Sequence, residues 1–161
     1  MSLLWAPWRK AYIRPSKAKK SKGCLFCRVL REKSDRRNLI LKRSLFSFAI
    51  LNLYPYNAGH VMIVPKRHVK KLSQLSPKEK LDWLELASEI TGVIEKKMKP
   101  QAMNLGMNLG CPAGAGIPGH MHLHIVPRWN GDTNFMPVIG KTKVISESME
   151  SIYKTLSAKS R

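Results

Sequence analysis

"GHMHLHIVPRW", residues 119–129, sets three histidines at alternate positions inside an otherwise apolar run. Side chains on an extended strand point alternately to its two faces. His120, His122 and His124 therefore share one face with Val126. Met121, Leu123 and Ile125 share the other, which is free to pack in a core. On a regular strand, neighbouring imidazoles on one face stand roughly 7 Å apart, twice the ~3.3 Å rise per residue. The chain has only five histidines, so three of them here is a concentration. A glycine-rich loop, "CPAGAGIPG" (111–119), runs directly into the strand. Its N–H groups can approach an anion closely because no β-carbon intervenes. Alternating histidines on a strand can also chelate a metal, so both readings stand at this point.

Outward from this strand, "SLFSFAILNL" (44–53) reads as a strand with a β-prone middle and "YPYNAG" (54–59) as turn chemistry. "HVMIVP" (60–65) follows as a second strand, making a hairpin-like pair. "LSPKEKLDWLELASEITGVIEKKMK" (75–99) is the clearest helix. Ser76 suits its N-cap, Pro77 its first position, and Glu79 completes a capping box. Leu81, Leu84, Ala87, Ile90, Ile94 and Met98 recur at spacings of three and four, which predicts the buried stripe. "CLFCRVLREK" (24–33) can start a short helix. "MNLGMNLG" (103–110) reads as a glycine-weakened strand, and a short helix is expected from about Ser146. Strands around one long helix argue for an α+β fold with a mainly antiparallel sheet. The expected layout is a basic N-terminal arm over 1–23, the main domain over 24–145, and a C-terminal helix and tail over 146–161.

The 161 residues are 43% apolar, enough for one domain with a real core. The formal net charge is +19, and 14 of the 29 Lys and Arg lie within residues 9–43. That balance favours anionic partners such as nucleotides, nucleic acid or acidic surfaces, against the plainer reading of a solvated, lysine-rich surface. The run "RPSKAKKSKG" (14–23) has no interleaved aromatics, so it reads as a basic arm and not a base-stacking platform. No run of 18 apolar residues occurs, and no membrane span is expected. "MSLLWAPWRKAYIRP" (1–15) has neither an apolar signal core nor a small-residue cleavage site, which leads to the expectation of a cytoplasmic protein. Two of the three cysteines sit as Cys24-Leu-Phe-Cys27. In that setting the pair reads as metal or redox chemistry before a disulfide framework. Cys111 lies in the glycine loop, with no assigned role.

"HMHLHIV" (120–126) fits the pattern His-φ-His-φ-His-φ-φ, where φ is apolar, and the chain resembles the histidine triad (HIT) superfamily over about residues 24–139. "ILNLYPYNAGHVMIVPKRHV" (50–69) resembles that family's strand–turn–strand segment, and "NLGCPAGAG" (108–116) its loop before the triad. "WAPWR", "CLFC" and "PRWNGDTNF" look most like a bacterial branch related to fragile histidine triad hydrolases and diadenosine tetraphosphate phosphorylases.

The resemblance implies a HIT-like fold and, usually, a homodimer. It implies a nucleotidyl hydrolase or transferase acting on dinucleoside polyphosphates through a covalent nucleotidyl-histidine. His122 would be the nucleophile, with His124 donating near the leaving-group bridge and His60 supporting the triad. Amides around Gly114, Ala115 and Gly116 would bind phosphoryl charge. Asn108 stands where phosphate is contacted and Asn52 where ribose is; ordinary turn or strand-end capping is the alternative for both. Relatives with the Cys-x-x-Cys pair complete a zinc site with positions matching His68 and His120, so Cys24, Cys27, His68 and His120 form the implied structural zinc set. Many members carry Ala-Gly-Gln-Ser/Thr before the triad; here the stretch is Ala113-Gly114-Ala115-Gly116-Ile117-Pro118. A nucleoside phosphoramidase is the alternative within the family. A zinc-stabilised protein binding nucleotides or nucleic acid is the alternative outside it.

Overall fold

The computed structural model describes residues 23–32, 34–133 and 145–157. The expected basic arm, apart from Gly23, lies outside the described residues. The α-helices and β-strands of the described residues follow in chain order: α1 (Leu25–Arg31), β1 (Ile40–Arg43), β2 (Ser47–Leu51), β3 (Val61–Pro65), α2 (Pro77–Met98), β4 (Ala102–Gly106), β5 (Leu123–Arg128) and α3 (Met149–Ser157). The strands form one sheet in the order β1-β2-β3-β5-β4, and every pairing is antiparallel. The α+β expectation holds, and β2 and β3 form the expected hairpin.

Each face of the sheet has its own core. Ala49, Leu51, Val61, Ile63, Leu123 and Ile125 point to the α2 side, where Trp83, Leu86, Ala87, Ile90 and Ile94 cover them. Phe48, Ile50, Met62 and Val64 point to the other side, where Phe26 and Val29 of α1 cover them. The period-2 alternation of β2, β3 and β5 thus sorts residues between a large helix and a small one.

Ser76 caps α2 as expected: its side chain accepts from the Glu79 N–H at 3.3 Å, and the Glu79 carboxylate accepts from the Ser76 N–H at 2.7 Å. The buried stripe differs from the expected one at its start. Leu81 and Leu84 are 59% and 58% exposed, while Trp83 and Leu86 are buried. Asp82 explains the rotation. Its carboxylate accepts from Ser44 Oγ at 2.7 Å and from the N–H groups of Leu45 and Phe46 at 3.1 and 3.2 Å. Asp82 is thereby pinned to the β1–β2 turn, which turns Trp83 inward, where its indole N–H donates to the Ile63 carbonyl at 3.0 Å.

Strand β1 had no reading in the sequence; its four residues include Lys42 and Arg43 and show no apolar alternation. The expected strand over 103–110 is shorter, ending at Gly106, and β5 begins at Leu123, not His120. Helix α3 starts at Met149. It packs back through Tyr153, whose hydroxyl donates to the Ile40 carbonyl at 3.2 Å.

Candidate active site

The α1-side face of β3 and β5 carries the histidines, as alternation requires, with Met121, Leu123 and Ile125 in the opposite core. The rings are closer than a regular strand would place them. The centroids of His122 and His124 are 4.8 Å apart, and His120 and His122 precede the paired part of β5. A pocket of ≈ 350 Å³ opens beside them. Leu25, Phe26 and Val29 of α1, Ile50, Met62 and Ile117 make its apolar walls, and His122 and His124 lie at its polar end. Arg28, Arg37, Asn38 and Tyr56 also line it. Sequence reading singled out none of these four, because each belongs to a segment without catalytic spacing.

Backbone partners assign a different role to each imidazole. His122 Nδ1 lies 2.9 Å from the His120 carbonyl. A carbonyl only accepts, so Nδ1 carries the proton and Nε2 holds a free lone pair. The Tyr56 N–H donates to His60 Nδ1 at 3.0 Å, so the proton of neutral His60 sits on Nε2. That Nε2 is 2.8 Å from His124 Nδ1. His124 therefore accepts at Nδ1 and presents an Nε2–H. One ring ends with a free lone pair on Nε2 and its neighbour with an Nε2–H. Tyr56 stacks on the supporting pair, with centroids 4.7 Å from His60 and 5.8 Å from His124.

Burial holds these rings neutral. His60 is pushed down to about 3 by burial first, then by repulsion from His124 and His122. His124 is pushed down to about 4 by burial and by His122. Burial also lowers His122, against the opposing bond to the His120 carbonyl.

His60 reaches its place through a tight turn. Gly59 has φ of +72°, and a β-carbon there would lie 2.6 Å from Met98 Sδ and 3.2 Å from Pro127 Cγ. Only glycine fits both the conformation and the space. Asn52 lines the pocket, its Oδ1 accepts the Tyr54 N–H at 3.0 Å, and its Nδ2 lies 3.3 and 3.5 Å from the two ring nitrogens of His60. The capping reading of Asn52 is thus realised alongside its position in the pocket.

Of the four residues expected to bind phosphate, two line the pocket. Gly114 and Gly116 line the pocket, whereas Ala115 and Asn108 do not. The Gly114 N–H donates to the Cys111 carbonyl at 2.9 Å and the Ala115 N–H to the Gly110 carbonyl at 3.3 Å. These two amides are spent on closing the loop, whose Gly114 has φ of +86°. Among the described residues Gly116 has no such bond, and it lines the pocket. Asn108 stands behind Gly114, its Nδ2 3.8 Å from where a β-carbon would be.

Next to the pocket, Cys24, Cys27, His68 and His120 bring one ligand atom each to within 4.8 Å of the others. Cys24 is the N-cap of α1 and Cys27 lies in its first turn, so a spacing of three puts both thiols on one side. Cys24 Sγ is 3.3 Å and Cys27 Sγ 3.7 Å from His120 Nδ1, and Cys27 Sγ is 3.4 Å from His68 Nδ1. His120 Nε2 lies 2.8 Å from the Pro65 carbonyl, so the proton sits on Nε2 and Nδ1 is free to bind a cation. Burial, then the Cys24 thiol, raises Cys27 above its ordinary value. A set of two thiols and two imidazoles is compatible with zinc.

A family model for the HIT domain matches residues 33–131. The chain belongs to the HIT family. This HIT protein is 35% identical over 158 residues to an AP-4-A phosphorylase of Mycobacterium tuberculosis, covering 95% of this chain and 81% of that protein. It is 38% identical over 93 residues to an asymmetrical bis(5'-nucleosyl)-tetraphosphatase of Schizosaccharomyces pombe, over 58% of this chain and 50% of that one. Its fold matches a crystal structure of a Zn-bound histidine triad family protein from Mycobacterium smegmatis with a TM-score of 0.67 at 23% identity, covering 84% of this chain and 91% of that chain. No described helix is long and apolar enough to cross a membrane.

Proposed function

We propose that this HIT protein cleaves dinucleoside polyphosphates of the diadenosine tetraphosphate type. The observation that carries this reading is the complementary protonation of His122 and His124 in the lining of a nucleoside-sized pocket. Its support from relatives is the AP-4-A phosphorylase matched along 95% of the chain. His122 Nε2 attacks the α-phosphorus; the N–P bond forms as the bond to the bridging oxygen breaks. His124 Nε2–H donates to that oxygen, stabilising the departing nucleoside polyphosphate, and His60 holds His124 in the donating tautomer. The Gly116 N–H meets a phosphoryl oxygen. The base rests between Phe26, Val29, Ile50 and Ile117, with the ribose toward Asn52. Water or inorganic phosphate then attacks the phosphorus and releases His122. Phosphate as acceptor yields ADP, and water yields AMP; both routes leave ATP from the first step.

Product analysis with diadenosine tetraphosphate, with and without inorganic phosphate, tests this. ADP plus ATP formed only with phosphate identifies a phosphorylase, the expected result. AMP plus ATP without phosphate identifies an asymmetrical hydrolase. Turnover of neither kind, with adenosine phosphoramidates cleaved instead, overturns the proposed substrate and keeps the nucleophile.

We assign the Cys₂His₂ cluster to a structural zinc ion held by Cys24, Cys27, His68 and His120. The ion would supply a tetrahedral crosslink between the start of α1 and the strand that bears the histidines. Wild-type protein is expected to carry one zinc per chain by elemental analysis, and Cys24→Ala far less. Equal metal content in the two would remove the assignment.

The same reading includes a homodimer and a cytoplasmic setting. Strand β4 ends the sheet with the uncharged sequence Ala-Met-Asn-Leu-Gly, its Leu105 52% exposed. An edge strand without charge or proline is a pairing surface, and Leu109, three residues beyond it, is 50% exposed. Light scattering should give a dimer for the wild type and a shift toward monomer for Leu105→Lys.

A further inference from the structure

Helix α1 belongs to two sites at once. Cys24 and Cys27 at its start face His68 and His120. Leu25, Phe26, Arg28 and Val29, interleaved with and following the cysteines, line the pocket. Phe26 links the two directly. It is 1% exposed, and its ring meets His120 edge-on at 5.3 Å and His122 at 5.2 Å between centroids. The other link is the main chain: the His120 carbonyl fixes the His122 tautomer while the His120 ring faces the two thiols. The helix has only seven residues and no side-chain N-cap bond. So short a helix is not stable by itself. Arg43 of β1 holds its C-terminal end by donating to the Leu30 and Glu32 carbonyls at 3.1 and 3.5 Å; the position of its N-terminal end rests on Phe26 and Val29 packing and on whatever joins its thiols to the two imidazoles.

We infer that the Cys₂His₂ centre is part of the nucleotide-binding apparatus, and that metal and nucleotide bind with positive coupling through α1 and Phe26. This rests on the zinc and nucleotide readings above. A metal bridging α1 to His68 and His120 holds the pocket wall in place; a nucleotide packed on Phe26 and Val29 holds α1 against the same imidazoles. Each ligand prepays the ordering that the other needs. Linkage makes the effect reciprocal: the factor by which zinc tightens nucleotide binding is the factor by which nucleotide tightens zinc binding.

The test uses AMP and zinc as probes on the full chain. AMP affinity is measured by calorimetry on zinc-loaded protein, on chelator-stripped protein and after zinc is restored, with circular dichroism as the check on folding. The expected result is a loss of about tenfold on stripping, within the usual range for coupled sites, and recovery on reloading. Should the stripped protein unfold, the reciprocal measurement on loaded protein decides: saturating AMP should slow zinc transfer to a chromophoric chelator by a similar factor. In Phe26→Ala that still binds one zinc, saturating AMP should no longer slow the transfer. Equal AMP affinity with and without zinc, or a transfer rate indifferent to AMP, overturns the coupling and leaves both separate readings standing. AMP binding to neither form overturns it through the pocket reading, and protein that never holds zinc overturns it through the metal reading.

Discussion

His122→Asn is expected to lower turnover of diadenosine tetraphosphate by at least about 10⁴-fold, equivalent to roughly 5.5 kcal/mol of barrier. Asparagine can still donate to the His120 carbonyl, which His122 Nδ1 approaches to 2.9 Å, so the local backbone should hold. What it lacks is the lone pair on the opposite side of the ring. Without that nucleophile the displacement can no longer be divided into two steps. AMP affinity should stay within a few-fold of wild type, because the apolar walls that contain the base are untouched. Single-turnover quench experiments supply the second readout: wild type accumulates nucleotide on protein and the variant does not. Residual turnover within tenfold of wild type would remove His122 from the nucleophile's role.

Acid should destabilise this protein well above the pH at which carboxylates protonate. His60 sits at about 3 and His124 at about 4 in the folded chain, against about 6.5 for an unfolded histidine. Between those values the unfolded state binds more protons, so stability falls as pH falls. Each group contributes about 1.4 kcal/mol per pH unit. From pH 6.5 to 4.5 the two together contribute on the order of 5 kcal/mol, an upper figure because their rings interact. The lowered carboxylates act in the same direction but later. Glu79, held at about 2 by Arg67 and the Ser76 N–H, loses its stabilising bonds only as pH drops below the ordinary glutamate range. The window above pH 4.5 therefore belongs to the histidines. Urea unfolding across it should show a steep slope in wild type, reduced by about 1.4 kcal/mol per unit in His60→Gln. An unchanged slope would mean that His60 is not held neutral by the fold. At pH 7 the same shifts keep His60 and His124 neutral, and their hydrogen bonds then make His124 a donor.

Much of the site was legible because its signals are periodic or short-range. Alternation placed the three histidines opposite Met121, Leu123 and Ile125, and both sets lie on the predicted faces. The capping box at Ser76 and Glu79 is a local contract between residues three apart, and it formed as read. A spacing of three in Cys24-Leu-Phe-Cys27 requires only one helical turn to align two thiols. The misreadings have a common origin in contacts between distant segments. Leu81 and Leu84 fit the helical period as well as Trp83 and Leu86 do; Asp82, bonded to the turn at Ser44–Phe46, chose between them. Arg28, Arg37, Asn38 and Tyr56 reach the pocket only because α1, the 37–39 segment and the 54–59 turn converge there.

By itself, the sequence determined the α+β class, the long capped helix, the face on which the histidines stand and the residue types available to bind a metal. These follow from backbone periodicity and from side-chain chemistry, which act over a few residues. Only the tertiary structure decided which nitrogen of each imidazole carries its proton. That assignment needs the His120 carbonyl beside His122, the Tyr56 N–H beside His60, and Pro65 across from His120. Hydrogen bonds set it, and their partners lie up to 64 residues apart.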